Sequence, residues 1–257
     1  FLRGALGVTA VAALGGPGLA GAAARGGRTG EAAGPFAFPE LAAGVDGDHH
    51  VAEGYRAEVL IRWGDPVMPG APAFDPAAQT AAAQEAQFGY NNDFIGFLPL
   101  PAGPEGTERG LLAVNHEYTE PALMFPAERR RDAETAAVEM AAHGHSVVEV
   151  ARGADGRWRY RADSPYNRRI SARSTEIALS GPAAGHERLR TRADPEGRRV
   201  LGTLNNCAGG VTPYGSVLIA EENFHFYFGG ELAEAGERRN HARYGVPAGA
   251  YHWARFH

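Results

Sequence analysis

From residue 36 onward the chain consists of short apolar runs bounded by glycine, proline and other turn residues, a pattern that suits strands better than helices. Glycine and proline, 35 and 17 in the whole chain, are frequent enough to supply those breaks. Tyr55 to Trp63 is a strand candidate, and "DPAAQTAAAQEAQF" after it has helix-forming composition behind an Asp-Pro start. The runs Phe94 to Leu100 and Gly110 to Tyr118 then predict a hairpin, Thr119 to Ala142 a helix, and "HSVVEVARGADGRWRYRAD" a second hairpin turning on Ala154-Asp155-Gly156. Four consecutive antiparallel strands with an inserted helix are the unit of a propeller blade. The expected class is therefore all-β with a few inserted helices, part of a β-propeller. A sandwich or barrel built from the same hairpins is the rival.

Residues 1–35 read as an export signal and linker outside this fold. The apolar centre of "FLRGALGVTAVAALGGPGLAGAAARGG" is short, and Gly15, Gly16, Pro17 and Gly18 break any helix, so no stable membrane span is expected. "FLRG" resembles the tail of a twin-arginine signal, which makes the export machinery a partner and the periplasm or extracellular space the destination. The net charge of −5 carries no nucleic-acid footprint. The run Arg129-Arg130-Arg131 suits a solvated helix face.

Exported proteins mostly use cysteine in disulfides, yet Cys207 is the only one here. An unpaired thiol is commonly a small buried hydrophobe, so its neighbours decide its role. It sits in "TLNNCAGGVTPYGSVLIAEENF", where the turn Thr212 to Gly215 folds one strand back on another. Pairing Val211 with Ser216 places Asn206 opposite Glu221, Asn205 opposite Glu222 and Cys207 beside them. The earlier hairpin has the same plan: "NNDF" opens it and "NHEY" closes it, and pairing Leu100 with Gly110 sets Asp93 opposite Glu117. A lone glutamate at a strand end is usually a solvated charge. Glu117, Glu221 and Glu222 converging with Asp93 and Cys207 instead predict a metal site, with carboxylates suited to Ca²⁺ and a thiolate suited to iron or zinc. The histidines lack HExxH spacing, His116 faces away from Glu117 along its strand, and no Walker loop or dinucleotide fingerprint occurs.

The runs "HHVAEGYRAEVLIRWGDPV", "FGYNNDFIGFLPL", "LLAVNHEYT", "SPYNRRI" and "GTLNNCAGGVTPYGSVLIAEENF", in this order from about Phe38, resemble the PhoX-type alkaline phosphatases. That resemblance implies a six-bladed β-propeller holding Fe³⁺ and Ca²⁺, with a cysteine thiolate on iron, that hydrolyses phosphate monoesters in phosphate acquisition. It further implies that Cys207 and Glu117 are catalytic metal ligands, joined in the metal set by Glu221 and Glu222; the hairpin pairing adds Asp93. Arg168, with Arg169 beside it, and Asn92 and Asn206 become candidates for binding small phosphate-ester substrates; the asparagines equally suit strand-end caps. Family members are longer, so 36–257 is expected to be the first part of one propeller domain, inactive or poorly folded alone. Two alternatives share several of these residues: a calcium-dependent propeller hydrolase of lactonase type and a non-catalytic surface-binding propeller. Neither needs a thiolate on iron.

Overall fold

The computed structural model describes residues 38–231 and 235–256. The expected export segment, 1–35, lies outside the described residues. The chain divides into two compact units meeting at Glu58 and Val59. Within the described part of the first, residues 38–58 form no regular element. Asp46 accepts a hydrogen bond from the Asp48 amide at 2.9 Å and pairs with His50 at 2.8 Å, and Phe38 meets Tyr55 edge to face at 5.8 Å.

The second unit is mostly β-sheet with short helices. Four antiparallel strands follow one another in sheet order: β1 (Asn92–Pro99), β2 (Arg109–His116), β3 (Gly144–Arg152) and β4 (Trp158–Tyr160). This is the expected meander. A fifth strand, β5 (Arg168–Ile170), pairs with the first part of β3. Two separate hairpins follow, β6 (Glu176–Ala178) with β7 (Arg199–Leu201), and β8 (Asn206–Val211) with β9 (Val217–Glu221). Among the described residues no sheet closes on itself.

The helices differ most from expectation. Asp75 caps only a local turn, accepting from the Ala77 amide at 2.9 Å, and the helix α1 is confined to Ala81–Gln84 behind the Thr80 cap. The expected single helix from Thr119 is two: α2 (Pro121–Met124) and α3 (Ala133–Ala142). Pro126 and the capping box of Asp132 with Thr135 separate them, so Arg129 to Arg131 lie in the link and not on a helix face. Residues 55–63 form no strand. Ile61 and Trp63 pack against the core, and Trp63 donates to Gln84 Oε1 at 2.6 Å, without a ladder partner.

Alanine-rich α3 is buried on nearly every side, as expected for a helix inside a fold. Ala137, Val138 and Ala142 pack with Ala81, Met124 and Phe125, while Val67, Phe88, Val114 and Val148 form a second cluster on the sheet. Burying a side chain such as Phe88 contributes about 1.5–3 kcal/mol. The second cluster anchors β2, which leads directly into Glu117.

Candidate metal centre

The hairpins β1–β2 and β8–β9 carry the same irregularity at the same place. Asn91 and Asn205 both adopt left-handed backbone, with φ of 51° and 50°, a conformation asparagine tolerates better than most residues. Just after each, the strand bulges, between Asn92 and Ile95 in β1 and between Asn206 and Gly209 in β8. The Glu117 amide donates to the Asn91 carbonyl and the Glu222 amide to the Asn205 carbonyl, both at 3.0 Å. Asp93 therefore occupies in one hairpin the position of Cys207 in the other, and Glu117 that of Glu222.

The bulges correct the expected registers. Pro99, not Leu100, pairs with Gly110, and Val211 pairs with Val217 rather than Ser216. The second slip comes from a longer turn, in which the Gly215 amide donates to Thr212 and the Thr212 amide to Ser216. Gly215 needs its φ of 84° to close that turn. The β8 bulge absorbs the slip and returns Asn206 to its place opposite Glu221. In the first hairpin Asn91 rather than Asp93 lies opposite Glu117, and the bulge still brings Asp93 to that carboxylate.

One ligand atom from each of Asp93, Glu117 and Cys207 lies within 4.8 Å of the others. Asn91 Nδ2 donates to Glu117 Oε2 at 3.4 Å. Burial, then the charges of Asp93 and Glu222, raise the Glu117 carboxyl to about 7. The Cys207 thiol is pushed up to about 12, first by its hydrogen bond to Asp93, then by burial and by Glu222. Four acidic side chains thus crowd one another, and a cation would reverse each of these shifts. The donor set fits a metal that accepts both oxygen and thiolate sulfur.

Several contacts join the two hairpins, whose strands β1 and β8 lie side by side. Fully buried Asn115 donates from Nδ2 to the carbonyls of Cys207 at 2.9 Å and Ala208 at 3.2 Å, and its Oδ1 accepts from His145 Nδ1 at 2.8 Å. Phe94 lies flat over Gly209, where an added Cβ would come within 2.4 Å of the ring. Asn115 was not among the expected site residues; its place in "NHEY", two before Glu117, was the available signal.

Other expected residues stand elsewhere. Glu221 Oε1 accepts from Thr203 Oγ1 at 3.0 Å and the Leu204 amide at 2.9 Å, so this glutamate holds the approach to β8 and does not join the acidic group. Asn206 is fully buried: its Nδ2 donates to the Gly144 carbonyl at 3.0 Å and its Oδ1 accepts from Thr203 at 2.7 Å. It is a structural tie with no surface left for substrate. Asn92 is exposed next to Asp93. Arg168 is exposed, donating to the Tyr166 carbonyl at 2.8 Å. Arg169 is a fold residue, its guanidinium donating to backbone carbonyls of Gln87, Ala141, His143, His145 and Ile170. His116, expected only to face away from Glu117, is buried, with Nε2 2.7 Å from Ser146 Oγ.

A family model described as alkaline phosphatase PhoX matches residues 36–257. A solved structure of Pseudomonas fluorescens PhoX in complex with vanadate, a transition state analogue, is 42% identical, with a TM-score of 0.72 over 81% of this chain. The match spans 36% of that chain. No curated protein matches.

Proposed function

Because this chain belongs to the family of the alkaline phosphatase PhoX, we propose that it serves an exported phosphatase that hydrolyses phosphate monoesters at a centre of iron and calcium ions. The observation that carries this reading is the meeting of a thiol with three carboxylates at the ends of two like hairpins. Residues 36–257 then contribute blades of a β-propeller, with β1 to β4 as one blade and β8–β9 in the next. No helix among the described residues is long and apolar enough to cross a membrane, which is compatible with export of the domain, and residues 1–35 have the composition of the signal.

Cys207 and Glu117 would hold the thiophilic ion, joined by Asp93 and Glu222, while Glu221, also in the expected set, is engaged by Thr203 and the Leu204 amide. Bound metal supplies Lewis-acid stabilisation of charge on the phosphoryl oxygens. The chain's own part is to hold the donors in place. Asn91 turns the Glu117 carboxylate toward the group. The thiol, raised to about 12 among the carboxylates, would have to give up its proton to bind a metal, so occupancy should fall with acid. Arg168 and Asn92, both exposed, offer a guanidinium fork and an amide to a phosphate.

Metal analysis with an assay on p-nitrophenyl phosphate tests the reading. The native protein should carry iron and calcium and release phosphate, and Cys207→Ala should lose its iron and more than about 100-fold in activity, the upper range for removing a group that tunes a metal. Retention of both by the variant overturns the assignment.

A further inference from the structure

Although the two hairpins match, their left-handed asparagines are held differently. The Asn91 amide reaches the ligand carboxylate of Glu117 itself. The Asn205 amide turns inward, donating to the hydroxyl of buried Tyr227 at 3.0 Å. That hydroxyl lies 2.9 Å from His143 Nε2, and His143 Nδ1 lies 2.6 Å from the Glu139 carbonyl of α3.

The direction of this chain of hydrogen bonds follows from its end. A backbone carbonyl only accepts, so His143 carries its hydrogen on Nδ1. Burial keeps the ring neutral, which leaves Nε2 as an acceptor. Tyr227 therefore donates to His143, and its oxygen receives the Asn205 amide. The Glu117 carbonyl, 3.5 Å from the same hydroxyl, stands beside this junction. Asn205 is thereby tied through every polar group it has on the site side: Oδ1 accepts the Asn223 amide, and its backbone carbonyl accepts the Glu222 amide at 3.0 Å. Tyr227 is clamped in turn, stacked on Tyr251 at 4.3 Å and packed against Trp253.

We propose that Tyr227 and His143 are positioning residues for the Cys207–Glu222 half of the metal centre, acting through Asn205 to hold the bulge that aims the thiol at Asp93 and Glu117. The proposal rests on the metal-centre reading above. It assigns to the buried aromatic cluster a role beyond packing, because one hydroxyl there fixes the backbone that sets the sulfur.

The test is a Co²⁺ titration of metal-stripped protein, read by the thiolate-to-cobalt charge-transfer absorption. Tyr227→Phe keeps the ring and removes the hydroxyl. It should bind Co²⁺ about tenfold or more weakly, within the range for groups that orient ligands, and its thiolate band should move or fade. Asn205→Gly gives the same result by another route, since glycine takes the φ of 50° freely yet carries no amide; it also reads the outcome if Tyr227→Phe does not fold. Trp253→Phe disturbs the same cluster and removes only the 3.4 Å bond from its indole to the Glu139 carboxylate, leaving the links from the Glu139 carbonyl to Asn205 in place, and should leave the band unchanged. A native band and affinity in Tyr227→Phe or Asn205→Gly overturns the proposal, as does an equal change in Trp253→Phe. Absence of any thiolate band in the native protein overturns the metal-centre reading and this proposal with it.

Discussion

Gly209 is the residue on which the approach of the two hairpins turns. Phe94 is sandwiched between it and Gly96, and a Cβ at 209 would meet ring atoms at 2.4, 2.5 and 2.8 Å. The ring has little room to retreat, since a Cβ on Gly96 would already sit 2.9 Å from its tip. Gly209→Ala should destabilise the protein by about 1–3 kcal/mol, the usual cost of overpacking, and should weaken metal binding by parting Cys207 from Asp93. Gly210→Ala, next along the strand with nothing within 4 Å of the added carbon, should change stability by less than about 0.5 kcal/mol. Urea unfolding of both variants, with Phe94→Leu as partner in a double-mutant cycle, checks this; additive losses from Gly209→Ala and Phe94→Leu would show that the ring is not the obstacle. The sequence "NNCAGG" shows two glycines alike, and which one faces a neighbouring strand is visible only once β1 and β8 lie together. The pair Arg168 and Arg169 has the same ambiguity, resolved by β5 pairing with β3, which sends one side chain into the core and leaves the other exposed.

At the scale of elements, the junction of α3 with β3 brings two histidines into the interior beside Arg169. His145 is held down to about 4, by burial first and by the Arg169 charge second. It faces Asn115 of β2, which it bonds through Nδ1. An unfolded histidine titrates near 6.5, so between about 6.5 and 4 the unfolded chain binds a proton that folded His145 refuses. Its contribution to stability is fully present above about 6.5 and is lost as pH falls toward 4. Buried Glu139, raised by burial, and Glu117 work in the opposite direction, so the histidine is best isolated by difference. His145→Gln should reduce the slope of unfolding free energy against pH in that window by about 1.4 kcal/mol per pH unit. An unchanged slope in urea titrations from pH 4 to 7 would mean that His145 already carries its proton in the fold.

Hairpins of this kind are legible in sequence because alternation and turn residues are local signals. β1–β2, β3–β4 and β8–β9 all stand within a residue or two of their expected bounds. The bulges are not legible, because each is an extra residue accommodated by a backbone conformation that asparagine permits without advertising. They set where Asp93 and Cys207 point, while Glu221, expected in the acidic group with Glu222, is taken up by Thr203 and the Leu204 amide. The helix from Thr119 divides for a related reason: Asp132 can cap a new start as readily as it can sit on a continuing face, and the buried demand for Ala137, Val138 and Glu139 selects the cap.

Over the molecule as a whole, the acidic group lies between elements joined by the Asn115 amide, the Asn206 amide on Gly144, the Tyr227 hydroxyl and the Phe94 ring. Against them stands the mutual repulsion of Asp93, Glu117 and Glu222, which adds to burial in raising the Glu117 carboxyl to about 7. A bound cation converts that repulsion into attraction across the same seam. The hairpin β8–β9 pairs with no other strand among the described residues, so metal removal should be felt there first. At a free metal concentration 100-fold above Kd, binding adds about 2.7 kcal/mol, which for a domain of this size corresponds to a rise in Tm of roughly 5–11 °C. Chelation should lower Tm by that order and restoration of metal should recover it. Hydrogen exchange then locates the effect: amides of β8 and β9 should lose protection on chelation while those of β2 and β3, paired with each other and packed on Val67 and Phe88, keep theirs. Equal loss across both sheets would show that the ion supports the whole domain, and no change in β8–β9 would remove the seam as its place of action.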